Sequence, residues 1–160
     1  IEKFSHFKNT NDDIFNLLNT VKADIIYLDP PYTGTMNNYF GFYGLVDDFI
    51  TSEVTQPFEN NFVNKNSAIE LFDQLFSKLG NFKYWYLSYN NASYPSKEEL
   101  LDLLRKYSDR VEVMERKHNY QITGKHKKEK NKEFLFIVEN ENHDNTNRHS
   151  SRHTVCEATN

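Results

Sequence analysis

Residues 25 to 32, Ile-Ile-Tyr-Leu-Asp-Pro-Pro-Tyr, restrict what this chain can fold into more than any other stretch. The first four are apolar or aromatic, rich in β-branched side chains, and too few for a typical helix, so they read as a buried strand. Pro30 and Pro31 carry no N–H to donate to a central ladder, and the strand stops at Asp29. In an open α/β sheet, ligands bind in the crevice beyond the carboxyl ends of the strands. Asp29 and Tyr32 are expected there, on a turn stiffened by two fixed proline φ angles. A carboxylate, free backbone carbonyls and an aromatic face within four residues suit a flat heterocycle bearing an amine. The carboxylate and the Pro30 carbonyl can both accept from one –NH2 group while Tyr32 stacks on the ring. A strand end with a capping aspartate and a rigid loop would explain the same residues without any chemistry.

The chain has 160 residues, 38% of them hydrophobic and 15% aromatic, enough for one domain with a substantial core. A net charge of −4 excludes a molecule that grips nucleic acid with its whole surface, so any such contact must be local. A single cysteine, Cys156, excludes an internal disulfide framework and fits a reducing, cytoplasmic setting. No run of about eighteen apolar residues is present, and no membrane-spanning segment is expected. The sequence opens on Ile1 without a signal-peptide pattern, so a partial or processed chain is expected.

The periodicity predicts helices near 12–21, 67–79 and 96–107 and strands near 24–29, 84–89, 111–116 and 133–138. Asn11-Asp12-Asp13 supplies a cap and an acidic first turn for the first helix, and Gly80-Asn81 reads as the C-cap of the second. Ser96 and Glu99 form a capping box for the third. The last two strands suggest an antiparallel hairpin at a sheet edge. Residues 33–66 show little regular pattern, and a stretch this long is either functional or mobile. Its aromatics Tyr39, Phe40, Phe42 and Tyr43 could stack on bases or simply pack the loop onto the domain.

The connection between the last two strands holds the only concentrated positive charge, including Lys125, Lys127, Lys128 and Lys130. It reads either as a solvated loop or as a phosphate-contacting surface. Residues 140–160 are almost devoid of apolar side chains and are expected to form a disordered polar tail after a domain at 1–139. His143, His149, His153 and Cys156 in that tail lack zinc-site spacing, and no metal site is expected.

Asp29-Pro30-Pro31-Tyr32 after Ile-Ile-Tyr-Leu resembles the catalytic motif of adenine-specific DNA methyltransferases that use S-adenosyl-L-methionine (AdoMet). The resemblance covers about residues 10–139. It implies part of a Rossmann-like fold, the catalytic half with a terminal hairpin. It also implies methyl transfer to adenine N6 in DNA, with the base flipped out of the duplex, in a restriction–modification setting. Asp29 and the Pro30 carbonyl would accept the amine hydrogens and border the cofactor, Pro31 would stiffen the turn, and Tyr32 would stack on the base. Ser88-Tyr89-Asn90 resembles the Ser-x-Asn strand ending of the family, which makes Ser88 and Asn90 candidate pocket-wall residues. Tyr39 would lie close to the base and Lys125, Lys127 and Lys128 close to the DNA backbone.

One family hallmark is missing. None of the five glycines, Gly34, Gly41, Gly44, Gly80 and Gly124, stands in the Gly-x-Gly turn that lets the backbone approach AdoMet. No acidic residue ends an earlier strand to hold the ribose. Two readings follow: a fragment of a longer polypeptide, or a subunit completed by a partner that carries the AdoMet loop. An RNA or protein amine methyltransferase, a non-catalytic DNA-binding remnant and a generic nucleotide-binding module remain as alternatives.

Overall fold

Strand alternation decides which side chains of this chain turn inward. The computed structural model describes residues 10, 12–33, 44, 46, 48–50, 52, 62, 64–117 and 131–141. Within them, β1 (Ile25–Leu28), β2 (Tyr84–Asn90), β3 (Arg110–Lys117) and β4 (Lys132–Glu139) form one mixed sheet in the order β1-β2-β4-β3. β1 runs parallel to β2, with Ile25 opposite Tyr84 and Leu28 opposite Leu87. β4 is antiparallel to both β2 and β3, which places the last strand inside the sheet and β3 at its edge.

Each strand lies within one residue of its expected limits at either end. Trp85, Leu87 and Tyr89 of β2 face Val138, Phe136 and Phe134 of β4, and all six are buried on one side of the sheet. Helix α2 (Ala68–Ser77) adds Phe72, Leu75 and Phe76 to this core, and α3 (Lys97–Leu104) adds Leu100, Leu103 and Leu104. Phe76 stacks on Trp85 at 6.4 Å between ring centroids. On the opposite, mixed sheet face, Ile25 and Tyr27 of β1 and Met114 of β3 are 57%, 61% and 61% exposed. Among the described residues no helix is long and apolar enough to cross a membrane.

The helices carry the differences from expectation. The first, α1 (Ile14–Leu17), is one turn rather than the ten residues 12–21. Its cap is Asp13, whose carboxylate accepts from the Phe15 amide at 2.8 Å, and no acidic residue stands in its first turn. It stops where the Asn19 and Thr20 amides turn to the i−3 carbonyls of Asn16 and Leu17, at 3.1 and 3.0 Å. The Ser96–Glu99 box forms as expected, with Ser96 Oγ accepting from the Glu99 amide and Glu99 Oε2 from the Ser96 amide. Helical backbone at 44, 46 and 48–50 falls in the stretch where no regular pattern was expected. The expected tail at 140–160 lies outside the described residues apart from Asn140 and Glu141.

Gly80 does not cap α2. A 3-10 turn, Leu79–Asn81, follows the helix, and Lys78 at the helix end keeps ordinary right-handed geometry. A Cβ at Gly80 would meet no atom within 4 Å. Gly80→Ala should therefore stabilise the fold, by about 0.4–1 kcal/mol, because it narrows the unfolded ensemble without native strain. A urea melt checks this, and a lowered midpoint would show that the turn does need glycine. Asn140 is buried beside this turn, its side-chain amide donating to the Gly80 and Phe82 carbonyls at 3.0 and 3.2 Å. That pair of bonds ties the end of β4 to the entrance of β2.

Candidate active site

Parallel pairing of β1 and β2 brings their carboxyl ends to one edge of the sheet. Asp29 follows Leu28 there, and Ser88 follows Leu87, the partner of Leu28 in the register. Asp29 is exposed, and Pro30, Pro31 and Tyr32 are half-buried. Among the described residues, neither the Asp29 carboxylate nor the Pro30 carbonyl is engaged in a hydrogen bond or ion pair. Two acceptors thus stand open on adjacent residues at the mouth of the sheet.

Tyr32 is less free. Its ring meets the fully buried Tyr89 ring edge-to-face, at 5.9 Å and 81°. Thr33, next in the chain, is buried, and its hydroxyl donates to the Phe62 carbonyl. The Thr33 carbonyl accepts from the Tyr94 amide at 3.2 Å. Tyr89 donates its hydroxyl to the Tyr94 carbonyl. Burial pushes the Tyr89 phenol up to about 12, and the Thr33 hydroxyl pulls partly the other way. The phenol therefore stays protonated, and a donor, through the neutral range.

Of the two expected wall residues, Ser88 is half-buried on the sheet face opposite Tyr89. Asn90 is buried, and its side-chain oxygen accepts from the Ser93 hydroxyl at 2.7 Å and the Ala92 amide at 2.9 Å. That oxygen shapes the turn leaving β2. Asn91 bonds Lys132 twice, its amide donating to the Lys132 carbonyl at 3.0 Å and its side-chain oxygen accepting the Lys132 amide at 2.8 Å. Lys117 pairs with Lys132 in the sheet register, so the lysine-rich connection leaves and re-enters the sheet at the Asp29 edge. Tyr39, Lys125, Lys127 and Lys128 themselves lie outside the described residues.

Glu115 holds this corner together, pairing with Lys132 at 2.5 Å and Lys97 at 3.3 Å. Lys132 first, and then Lys97, keeps its carboxyl below the ordinary 4.5. A carboxyl depressed in the folded state stabilises above its unfolded value and loses that contribution as pH falls through the depressed one. Glu115→Gln should therefore lower the melting temperature slightly at neutral pH and leave it unchanged in acid. A difference that persisted in acid would assign the effect to packing instead.

Sequence reasoning identified the Asp29 turn and missed Tyr89, Thr33 and Tyr94. Tyr89 read as the variable residue of the Ser-x-Asn strand ending, and no local pattern connects it to Tyr94 or Thr33.

Residues 2–103 match the family model of D12 class N6 adenine-specific DNA methyltransferases. The chain belongs to this family. Among relatives of the D12 class chain, the type II methyltransferase M2.HphI of Haemophilus parahaemolyticus is 56% identical over 130 residues. That alignment covers 81% of this chain and 39% of the relative. The type II methyltransferase M.NlaIII of Neisseria lactamica is 28% identical over 138 residues, covering 79% of this chain and 41% of its own length. Modification methylase StsI of Streptococcus sanguinis is 27% identical over 161 residues, covering 87% of this chain and 24% of its own. The D12 class chain thus spans about two fifths of M2.HphI and M.NlaIII and about a quarter of StsI. No solved structure matches it.

Gly44 and Gly80 are the glycines among the described residues of this D12 class chain. Gly80 lies before β2, at the end of the sheet away from Asp29, where an added Cβ would meet no atom within 4 Å. The acceptor pair at Asp29 and Pro30 suits a group that donates two N–H bonds.

Proposed function

We propose that this chain is the catalytic part of a site-specific DNA adenine methyltransferase of a restriction–modification system. The observation that carries the reading is the pair of open acceptors, Asp29 and the Pro30 carbonyl, at the carboxyl edge of a parallel strand pair. AdoMet would supply the methyl group when bound. The chain's own residues do the positioning. Asp29 and Pro30 accept the two hydrogens of the adenine amine, which turns the nitrogen lone pair outward and stabilises the positive charge that grows on nitrogen. Pro31 fixes the turn, and Tyr32 stacks on the flipped base. Ser88 borders the same edge, and Asn90 contributes by shaping the turn behind it.

The sheet order supports a Rossmann-like assignment, since a last strand inserted antiparallel beside a parallel pair is the expected ending of such a sheet. Tyr39 near the base, and Lys125, Lys127 and Lys128 on the phosphates, complete the DNA surface in this reading. The absent glycine turn and the short span against M2.HphI favour a further segment, in the same polypeptide or in a partner subunit, that holds AdoMet.

Calorimetry with AdoMet tests this last element, on the present chain and on the full natural polypeptide. Binding by the longer protein alone is the expected result. Binding by the short chain would place the cofactor site within these residues, and binding by neither would leave a partner subunit or a remnant.

A further inference from the structure

We infer that Tyr89 is a positioning residue for the reaction, setting the plane of Tyr32 from beneath the turn through a closed ring of contacts. The inference rests on the functional reading of Tyr32 given above. Two prolines fix φ at residues 30 and 31, but they leave the Tyr32 side-chain torsions and the path of Thr33 undetermined. Those freedoms are removed by four links: Tyr32 against the Tyr89 ring, the Tyr89 hydroxyl on the Tyr94 carbonyl, the Tyr94 amide on the Thr33 carbonyl, and the peptide bond back to Tyr32. The Thr33 hydroxyl on the Phe62 carbonyl anchors the ring of contacts from a further segment.

Tyr89 is suited to this because it cannot do anything else at the site. Its side chain is fully buried on the core face of β2, where no substrate reaches it. Phe72 backs it at 5.8 Å and 88°, so the ring has little room to tilt. A phenylalanine would fill the same volume and keep both ring contacts. The hydroxyl is the atom that makes the link to Tyr94, and its removal leaves the Tyr94 carbonyl without that donor.

The test uses the full natural polypeptide with ring-labelled tyrosine, as wild type, Tyr89→Phe and Tyr89→Leu. Two quantities are read: the Tyr32 ring resonances, which sense the Tyr89 ring, and methyl transfer to unmethylated DNA. Tyr89→Leu should shift and broaden the Tyr32 resonances and lower kcat/KM for DNA by about 10- to 100-fold, the scale expected from a misplaced contact group. AdoMet affinity should be unchanged. Tyr89→Phe, which should fold normally, is expected to give a smaller loss of the same kind. Unmoved Tyr32 resonances in both variants, or a loss of melting temperature with kcat/KM intact, would overturn the inference. If wild type transfers no methyl group to adenine, the functional reading fails, while the Tyr32 resonances still decide whether Tyr89 sets that ring.

Discussion

Replacement of Asp29 by alanine is expected to reduce methyl transfer by roughly 10²–10³-fold, the cost typical of removing one preorganised polar group from a transition state. The fold should be unaffected. Asp29 is exposed and, among the described residues, supports nothing else in the molecule. Surface substitutions of this kind usually change stability by less than about 0.5 kcal/mol. Activity lost without any change in melting temperature therefore separates chemistry from folding. Asp29→Asn keeps one oxygen acceptor and removes the charge, so it should fall between wild type and Asp29→Ala. Turnover retained in Asp29→Ala would remove this carboxylate from the mechanism.

The largest expected effect on stability lies at Phe72. It is fully buried, and its ring meets Phe62 at 5.4 Å, Phe76 at 5.7 Å and Tyr89 at 5.8 Å. Phe72→Ala should cost about 3–5 kcal/mol, from lost burial plus the cavity left behind. That is a large share of the roughly 5–15 kcal/mol that holds a typical domain folded. Because Phe72 backs Tyr89, surviving folded protein should also show a disturbed Tyr32. Denaturant unfolding measures the first effect, and Phe72→Leu should restore a large part of it. A loss below about 1 kcal/mol would mean that the ring is not packed as a core residue.

Much of this architecture follows from short-range chemistry. Two prolines after an apolar run leave one strand end possible, and β1 stops beside Asp29 accordingly. The Ser96 capping box involves four consecutive residues, so it could be read directly and is present. The short α1 was less legible, because the apolar spacing of Ile14, Leu17, Leu18 and Val21 continues while the Asn19 and Thr20 amides already turn to i−3 carbonyls. Gly80 misled for a related reason: a glycine after a helix is compatible with a left-handed cap and with a 3-10 turn. The contacts behind Tyr32 were not legible at all. They join residues 32, 33, 62, 89 and 94, and depend on how β1 registers against β2. Nor did strand alternation reveal that Ile25, Tyr27 and Met114 would stay exposed, because burial of a sheet face depends on what is laid over it.

The most direct experiment incubates the full natural polypeptide with methyl-labelled AdoMet and DNA free of modified adenine, followed by digestion to nucleosides. Label in N6-methyladenine, absent when Asp29 is alanine, is the predicted result. Label in another base, or none in adenine while AdoMet is bound, would contradict the assignment of Asp29 and Pro30 to the adenine amine.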